Sequence, residues 1–232
     1  MLWLSLIMAI IPTIIILSIV YKTDKEKEPT KLLLSLFGVG ILSCFLTLII
    51  SLVFEEIITI FNFFDKKSTA YLLFHCFIHV ALIEEISKWI FSFSIGWNNK
   101  EYNHQYDAIV YSVFVSLGFA TFENILYSLH YGLFTSFLRG VISVPAHASF
   151  AIIMGYYISM AKTSKNQKNQ VISIFGSILI PALLHGTFDI CLSIGEKALF
   201  VFLVLVAFLY VDGIRKISKL SKIEEAIIEM SN

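Results

Sequence analysis

Charge is scarce in this chain. Only 15% of its 232 residues are Asp, Glu, Lys or Arg, whereas 57% are apolar, and the mean hydropathy is +0.82. So few polar side chains cannot clothe a soluble domain of this length, which excludes a water-soluble globular protein. Net charge is zero, so there is no basic surplus with which to hold nucleic acid. Cysteine is sparse as well. Cys44, Cys76 and Cys191 form an odd set without CxxC spacing, all inside apolar runs, and read as small apolar residues. HExxH, the zinc-protease helix signature, is absent. No basic segment precedes the first apolar run and no small-residue cleavage site precedes Tyr21, so that run reads as a retained anchor. Neither a long linker nor an internal repeat is detectable.

What the chain has is apolar runs of about 20 residues, the length a membrane-spanning helix needs. Seven are legible, at 2–21, 32–54, 71–97, 107–130, 133–162, 171–194 and 198–214. The fifth holds Gly140 and Pro145, so a kink or split there would give eight membrane segments. The expected fold is all-α, a polytopic transmembrane helix bundle over residues 1–214. A short amphipathic tail follows at 215–232, with apolar residues at Ile217, Leu220, Ile223, Ile227 and Ile228. Twelve Lys and Arg residues fall on one side, from Lys22 in the first loop to Lys222 in the tail, and only Lys66, Lys67 and Lys197 fall on the other. The positive-inside rule then places the N-terminus outside and the tail in the cytoplasm of a multi-pass cell-membrane protein.

Against this apolar background, four runs carry ionisable residues at depth, where each costs roughly 3 kcal/mol or more and marks a functional site by default. The third run holds Glu84, Glu85 and Lys88, the fourth Glu123 and Asn124, the fifth Arg139 and His147, the sixth His185 and Asp189. Helical spacing puts Glu84 on the face of Lys88, and His185 on that of Asp189. Glu85 points about 100° from Glu84, so the two carboxylates need not enter one cavity. At 1.5 Å per residue, Glu84 and His147 lie about 20 Å below the outer boundary, His185 about 14 Å, Glu123 about 10 Å and Asp189 about 8 Å. The groups overlap in depth and lean outward, and Arg139, at a depth similar to that of Glu123, is placed to form an ion pair with it. The plainer reading of Glu84 and Lys88 is an internal pair that locks helices together.

The order of these motifs resembles the PrsW family of intramembrane proteases, related to the CAAX-processing type of membrane endopeptidases. YKTDKEKEP at 21–29 is similar to the family's charged first loop, EEISK at 84–88 to its EExxK, FATFEN at 119–124 to its FxxxEN, and HGTFD at 185–189 to its HxxxD. EExxK alone is common on soluble helices; three motifs in order, each within an apolar run, are specific. The resemblance implies hydrolysis of a peptide bond in a single-span membrane protein such as an anti-sigma factor, with the lipid bilayer as the other partner.

The residues themselves can carry that chemistry. A carboxylate in a dry pocket serves as a base towards water; Glu84 or Glu85 would fill this role, Glu84 being favoured because Lys88 shares its face. His185 would donate to the oxyanion or bind a metal, with Asp189 orienting it. Glu123 and His147 complete the candidate catalytic set, and Phe119, Asn124, Arg139 and Lys88 support it. Asn124 reads better as an interhelical hydrogen-bonder, and a structural role for Glu123 with Arg139 stands beside a catalytic one. A divalent metal such as Zn2+ would find ligands in Glu84, Glu85, His147 and His185.

Other polar groups read as bystanders. His75 and His79 form HxxxH, but lie about 140° around the helix from Glu84. His104 and His130 fall at loop edges and are expected to be solvated. Gly118, Gly140, Gly155, Gly176 and Gly186 are expected to allow close helix approach. The alternative function is a non-hydrolytic protein such as a proton-coupled carrier, since buried carboxylates and histidines also make proton relays. Carriers commonly show internal repeats, which this chain lacks. An outward-leaning site predicts cleavage near the outer membrane face.

Overall fold

A computed structural model describes residues 2–61 and 63–231, and among them every regular element is helical. The chain runs through α1 (Leu2–Thr23), α2 (Thr30–Phe61), α3 (Thr69–Phe74), a π-helical turn (His75–Leu82), α4 (Ile83–Gly96), α5 (Asp107–Thr163), α6 (Gln167–Ile194), a 3₁₀ turn (Gly195–Ala198) and α7 (Leu199–Ser231). Long apolar segments adopt helix because lipid offers no partner for backbone N–H and C=O groups. Where the chain leaves the apolar region, side chains close the ends. Ser68 accepts from the Tyr71 N–H at 3.1 Å before α3, and Asn166 from that of Lys168 at 2.8 Å before α6. Among the described residues, five segments are long and apolar enough to cross a membrane. They are the α1 segment, α2, the continuous helix Thr69–Gly96, α5, and Gln167–Ser231.

Two of these do not run straight. The 57 residues of α5 would reach about 85 Å unbroken, against a hydrocarbon core of about 30 Å. The helix reverses at Gly132, whose φ of 78° lies in the left-handed region that favours glycine. Its two arms then run antiparallel: Ser136 Oγ meets Ser128 Oγ at 2.7 Å, and a Cβ on Gly155 would come within 2.4 Å of the Ala108 carbonyl oxygen. The second arm stays helical through Gly140 and Pro145, so the fifth run is not split there, and the reversal falls between the fourth and fifth runs. The last segment turns likewise at Gly195, φ 71°, between α6 and α7.

The first arm of α5 is the centre of the molecule. Ile109, Val110, Val113, Val115, Leu117 and Ala120 are fully buried, packed among α1, α2 and the second arm. It crosses α2 at backbone distance, since a Cβ on Gly118 would lie 2.1 Å from the Phe37 carbonyl oxygen and one on Gly40 2.0 Å from that of Val115. Gly140, Gly176 and Gly186 are also tight, against Met8, Tyr157 and Phe77. Apolar side chains such as Trp3, Leu34, Leu52, Phe134 and Phe200 point outward, as lipid contact requires. The loop 24–29, the segment 97–106, the α5–α6 connection and the tail gather at one end. Lys25 pairs with Glu225, Asn103 Nδ2 donates to Glu26, and Ser221 Oγ donates to the Thr23 carbonyl at 2.9 Å. The loop before α3, the Gly132 reversal and the Gly195 turn lie at the other.

Candidate functional site

The polar groups of four helical segments meet in the half of the bundle nearest the Gly132 and Gly195 turns. They line a cavity of about 530 Å³. Five of the six candidate catalytic residues face it: Glu84, Glu123, His147, His185 and Asp189. Glu85, fully buried, stands behind Glu84. Of the supporting residues, Phe119 and Arg139 line the cavity, while Lys88 and Asn124 are buried behind its wall.

Lys88 organises the centre. Its Nζ lies 3.1 Å from Glu84 Oε2, 2.8 Å from Glu85 Oε1 and 3.2 Å from His147 Nδ1, with the Phe119 ring 4.1 Å beneath it. Spacings of three and four residues on one helix bring both carboxylates to the same ammonium, so the 100° between them does not separate them. His147 joins from the second arm of α5, placed by the reversal at Gly132, and Ser116 Oγ on the first arm donates to its carbonyl at 3.1 Å.

Two branches extend from this centre. In one, His185 Nδ1 meets Glu85 Oε1 at 2.9 Å, while its Nε2 lies 3.5 Å from Asp189 Oδ2. The closer partner of the imidazole is therefore Glu85; Asp189 sits beyond hydrogen-bond length. Phe150 stacks on His185 with ring centroids 5.0 Å apart. In the other branch, His147 Nε2 meets Glu123 Oε2 at 3.2 Å, and the same oxygen pairs with Arg139 Nη2 at 2.7 Å. Arg139 Nε donates to Asn124 Oδ1 at 2.9 Å, and its guanidinium covers the Tyr127 ring at 3.8 Å. Asn124 is thus an interhelical hydrogen-bonder, and Glu123 with Arg139 is an ion pair.

Two bystanders behave otherwise than the spacing predicts. His75 lines the same cavity as Glu84. The reason is the π-turn His75–Leu82, which advances less per residue than an α-helix and rotates His75 back towards the site. Its Nδ1 lies 3.2 Å from that of His79, which is buried and bonded to the Ser51 carbonyl. His104 is buried too, its Nε2 2.9 Å from Glu26 Oε2, whereas His130 is exposed. Phe150 and Tyr127 were not singled out from sequence. Phe150 does lie one helical turn from His147, and Tyr127 one turn from Glu123, a spacing that could have flagged both.

Glu84, Glu85, His147 and His185 each offer a ligand atom, and these atoms all lie within 4.8 Å of one another. Mixed nitrogen and carboxylate donors are a set that suits zinc. Glu85 Oε2 is buried without a partner, and the Lys88 ammonium already marks a place for positive charge among them. The donor set therefore fits a metal.

The family described as PrsW family intramembrane metalloprotease matches residues 28–214. Relatives named Protease PrsW are similar over most of the chain. That of Oceanobacillus iheyensis is 38% identical over 79% of this chain and 80% of its own length. That of Clostridioides difficile is 36% identical over 92% and 90%, and that of Bacillus subtilis 32% over 90% and 92%. No solved structure matches. With this match and these relatives, the chain belongs to the PrsW family of intramembrane metalloproteases and is a membrane-embedded peptidase.

Proposed function

We propose that the chain hydrolyses a peptide bond of a single-span membrane protein, of the anti-sigma-factor kind, with water activated by Glu84. The observation that carries this reading is the cavity itself, where Glu84, His147 and His185 meet beside a wall of Leu48, Leu126, Leu138 and Ile142 that suits an apolar substrate segment. Glu84 takes a proton from water as its oxygen bonds to the scissile carbonyl carbon; the proton then passes to the leaving amine as the C–N bond breaks. Glu85 and Asp189 flank and orient His185, whose Nε2–H donates to the developing oxyanion. Lys88 bonds to both carboxylates and fixes their positions. Glu123 and Arg139 fix the ring of His147. A catalytic zinc takes three protein ligands. Of Glu84, Glu85, His147 and His185, three would hold it and one carboxylate would remain for proton transfer. When bound, the ion would polarise the scissile carbonyl.

In this reading α1, α2, Thr69–Gly96, each arm of α5, α6 and the start of α7 make seven crossings of the cell membrane. The basic end faces the cytoplasm and the cavity the outer side, so cleavage falls near the outer edge of the substrate's span. The test is reconstitution of the full chain in vesicles with a tagged single-span protein. Cleavage by the unmodified chain, its loss in Glu84→Gln and its loss on chelation are expected. Full turnover by both Glu84→Gln and Glu85→Gln would rule out the carboxylate mechanism, and a cut mapped to the cytoplasmic edge would overturn the orientation.

A further inference from the structure

A second group of carboxylates lies at the opposite end of the bundle, outside the cavity. Asp24 follows α1, Asp107 opens α5 and Glu224 sits on the tail part of α7. Each is 0% exposed, and oxygens from all three lie within 4.8 Å of one another. Part of each outer carboxylate is committed. Asp107 Oδ2 accepts from the N–H groups of Asn103 and His104 at 2.9 and 2.7 Å, and Glu224 Oε1 from those of Lys25 and Glu26 at 3.2 and 2.9 Å. The remaining oxygens, Asp107 Oδ1, Glu224 Oε2 and both of Asp24, are buried without any partner. The Asp24 carboxylate therefore receives no N–H or O–H donor and is aimed into the group, against that of Glu224.

Three carboxylates drawn together out of water repel strongly unless something positive lies between them. The neighbouring cations are engaged elsewhere: Lys25 Nζ pairs with Glu225, and Lys162 Nζ donates to the Trp97 carbonyl at 2.7 Å. Lys27 Nζ donates to the carbonyls of Lys22 and Asp24, and no ion pair joins it to the three. The remaining titratable neighbours add little relief: Glu28 is itself acidic and takes the Tyr111 hydroxyl at 2.9 Å, and His104 is bonded to Glu26. All free ligand atoms are carboxylate oxygens, without nitrogen or sulfur, and such a set selects hard cations.

We propose that Asp24, Asp107 and Glu224 bind one alkaline-earth cation, Mg2+ or Ca2+, which fastens the first loop and the tail helix to the entrance of α5. This ion would be separate from any metal in the cavity, at the other end of the molecule.

The test is thermal unfolding of the full chain in micelles, titrated with MgCl2 or CaCl2, together with equilibrium dialysis against radioactive calcium. Addition of one of the cations should raise Tm, and calcium should either bind or be competed off by magnesium. Asp24→Asn and Glu224→Gln should weaken the apparent affinity by about tenfold or more while leaving the variants folded. His185→Ala, which alters only the cavity, should keep the response, separating this site from the catalytic metal. A Tm indifferent to both cations overturns the proposal, whatever the variants do. If that Tm also falls as pH rises from the ordinary carboxylate range through about 7, a proton held on Asp24 relieves the charge instead.

Discussion

Within hydrogen-bond reach of two carboxylates and an imidazole, the buried ammonium of Lys88 recovers much of the solvation it loses on leaving water. Removing one partner from such a group leaves the others uncompensated, at a typical cost of about 3–5 kcal/mol. Spacing alone would have Lys88 only tune Glu84, with a mild defect on its loss. The three contacts predict more: Lys88→Met should lower stability by about that amount, read as a fall in Tm in micelles. The adjacent glutamates should part company in the same assay. Glu84 lines the cavity and gives one contact to Lys88, whereas Glu85 is fully enclosed and holds both Lys88 and His185. Glu84→Gln should therefore cut proteolysis by about 10²-fold or more with the smaller fall in Tm. Glu85→Gln should lose activity and stability together. Equal losses of Tm in the two variants would contradict the division.

Helices approach closely only where a side chain is missing. Gly40 and Gly118 sit at the crossing of α2 and α5, each against a carbonyl oxygen of the other helix. Backbone cannot swing aside as a side chain would, so Gly118→Ala or Gly40→Ala should destabilise by about 1–3 kcal/mol. Gly38→Ala is the control, because nothing lies within 4 Å of its added Cβ, and its Tm should be unchanged or slightly higher. Gly118 could be suspected from sequence, since it lies in the run bearing Glu123. Gly38 and Gly40 could not be told apart in LFGVGIL, because only the partner helix distinguishes them. The π-turn was equally hidden. HCFIHVAL carries neither proline nor glycine, and its wider turn alone brings His75 into the cavity.

Across the whole molecule, what was legible depended on range. Ionisable residues at membrane depth stood out individually, and Glu123 with Arg139 followed from shared depth. The Asp24, Asp107 and Glu224 group did not, because it joins loop, helix entrance and tail across about 200 residues, and at water-exposed chain ends acidic residues are unremarkable. Orientation was read from basic residues and can be checked at the far end of α7, where Met230 is exposed and all three native cysteines are buried. Met230→Cys should resist a membrane-impermeant thiol reagent in intact cells and react once the membrane is opened. Labelling of intact cells would reverse the assignment.

The reversal at Gly132 also bears on how the protein enters the bilayer. Inserted one helix at a time, the arms of α5 would bring Glu123 and Arg139 into lipid separately, each at roughly 3 kcal/mol. Because a tight bend joins the arms, the two charges and His147 face each other within one hairpin, and a hairpin inserted whole would carry them in already paired. Residues 107–163 should therefore insert as a unit in a glycosylation-mapping assay. Arg139→Leu should impair that insertion and Glu123→Leu with Arg139→Leu restore it, leaving biogenesis repaired but the proposed site altered.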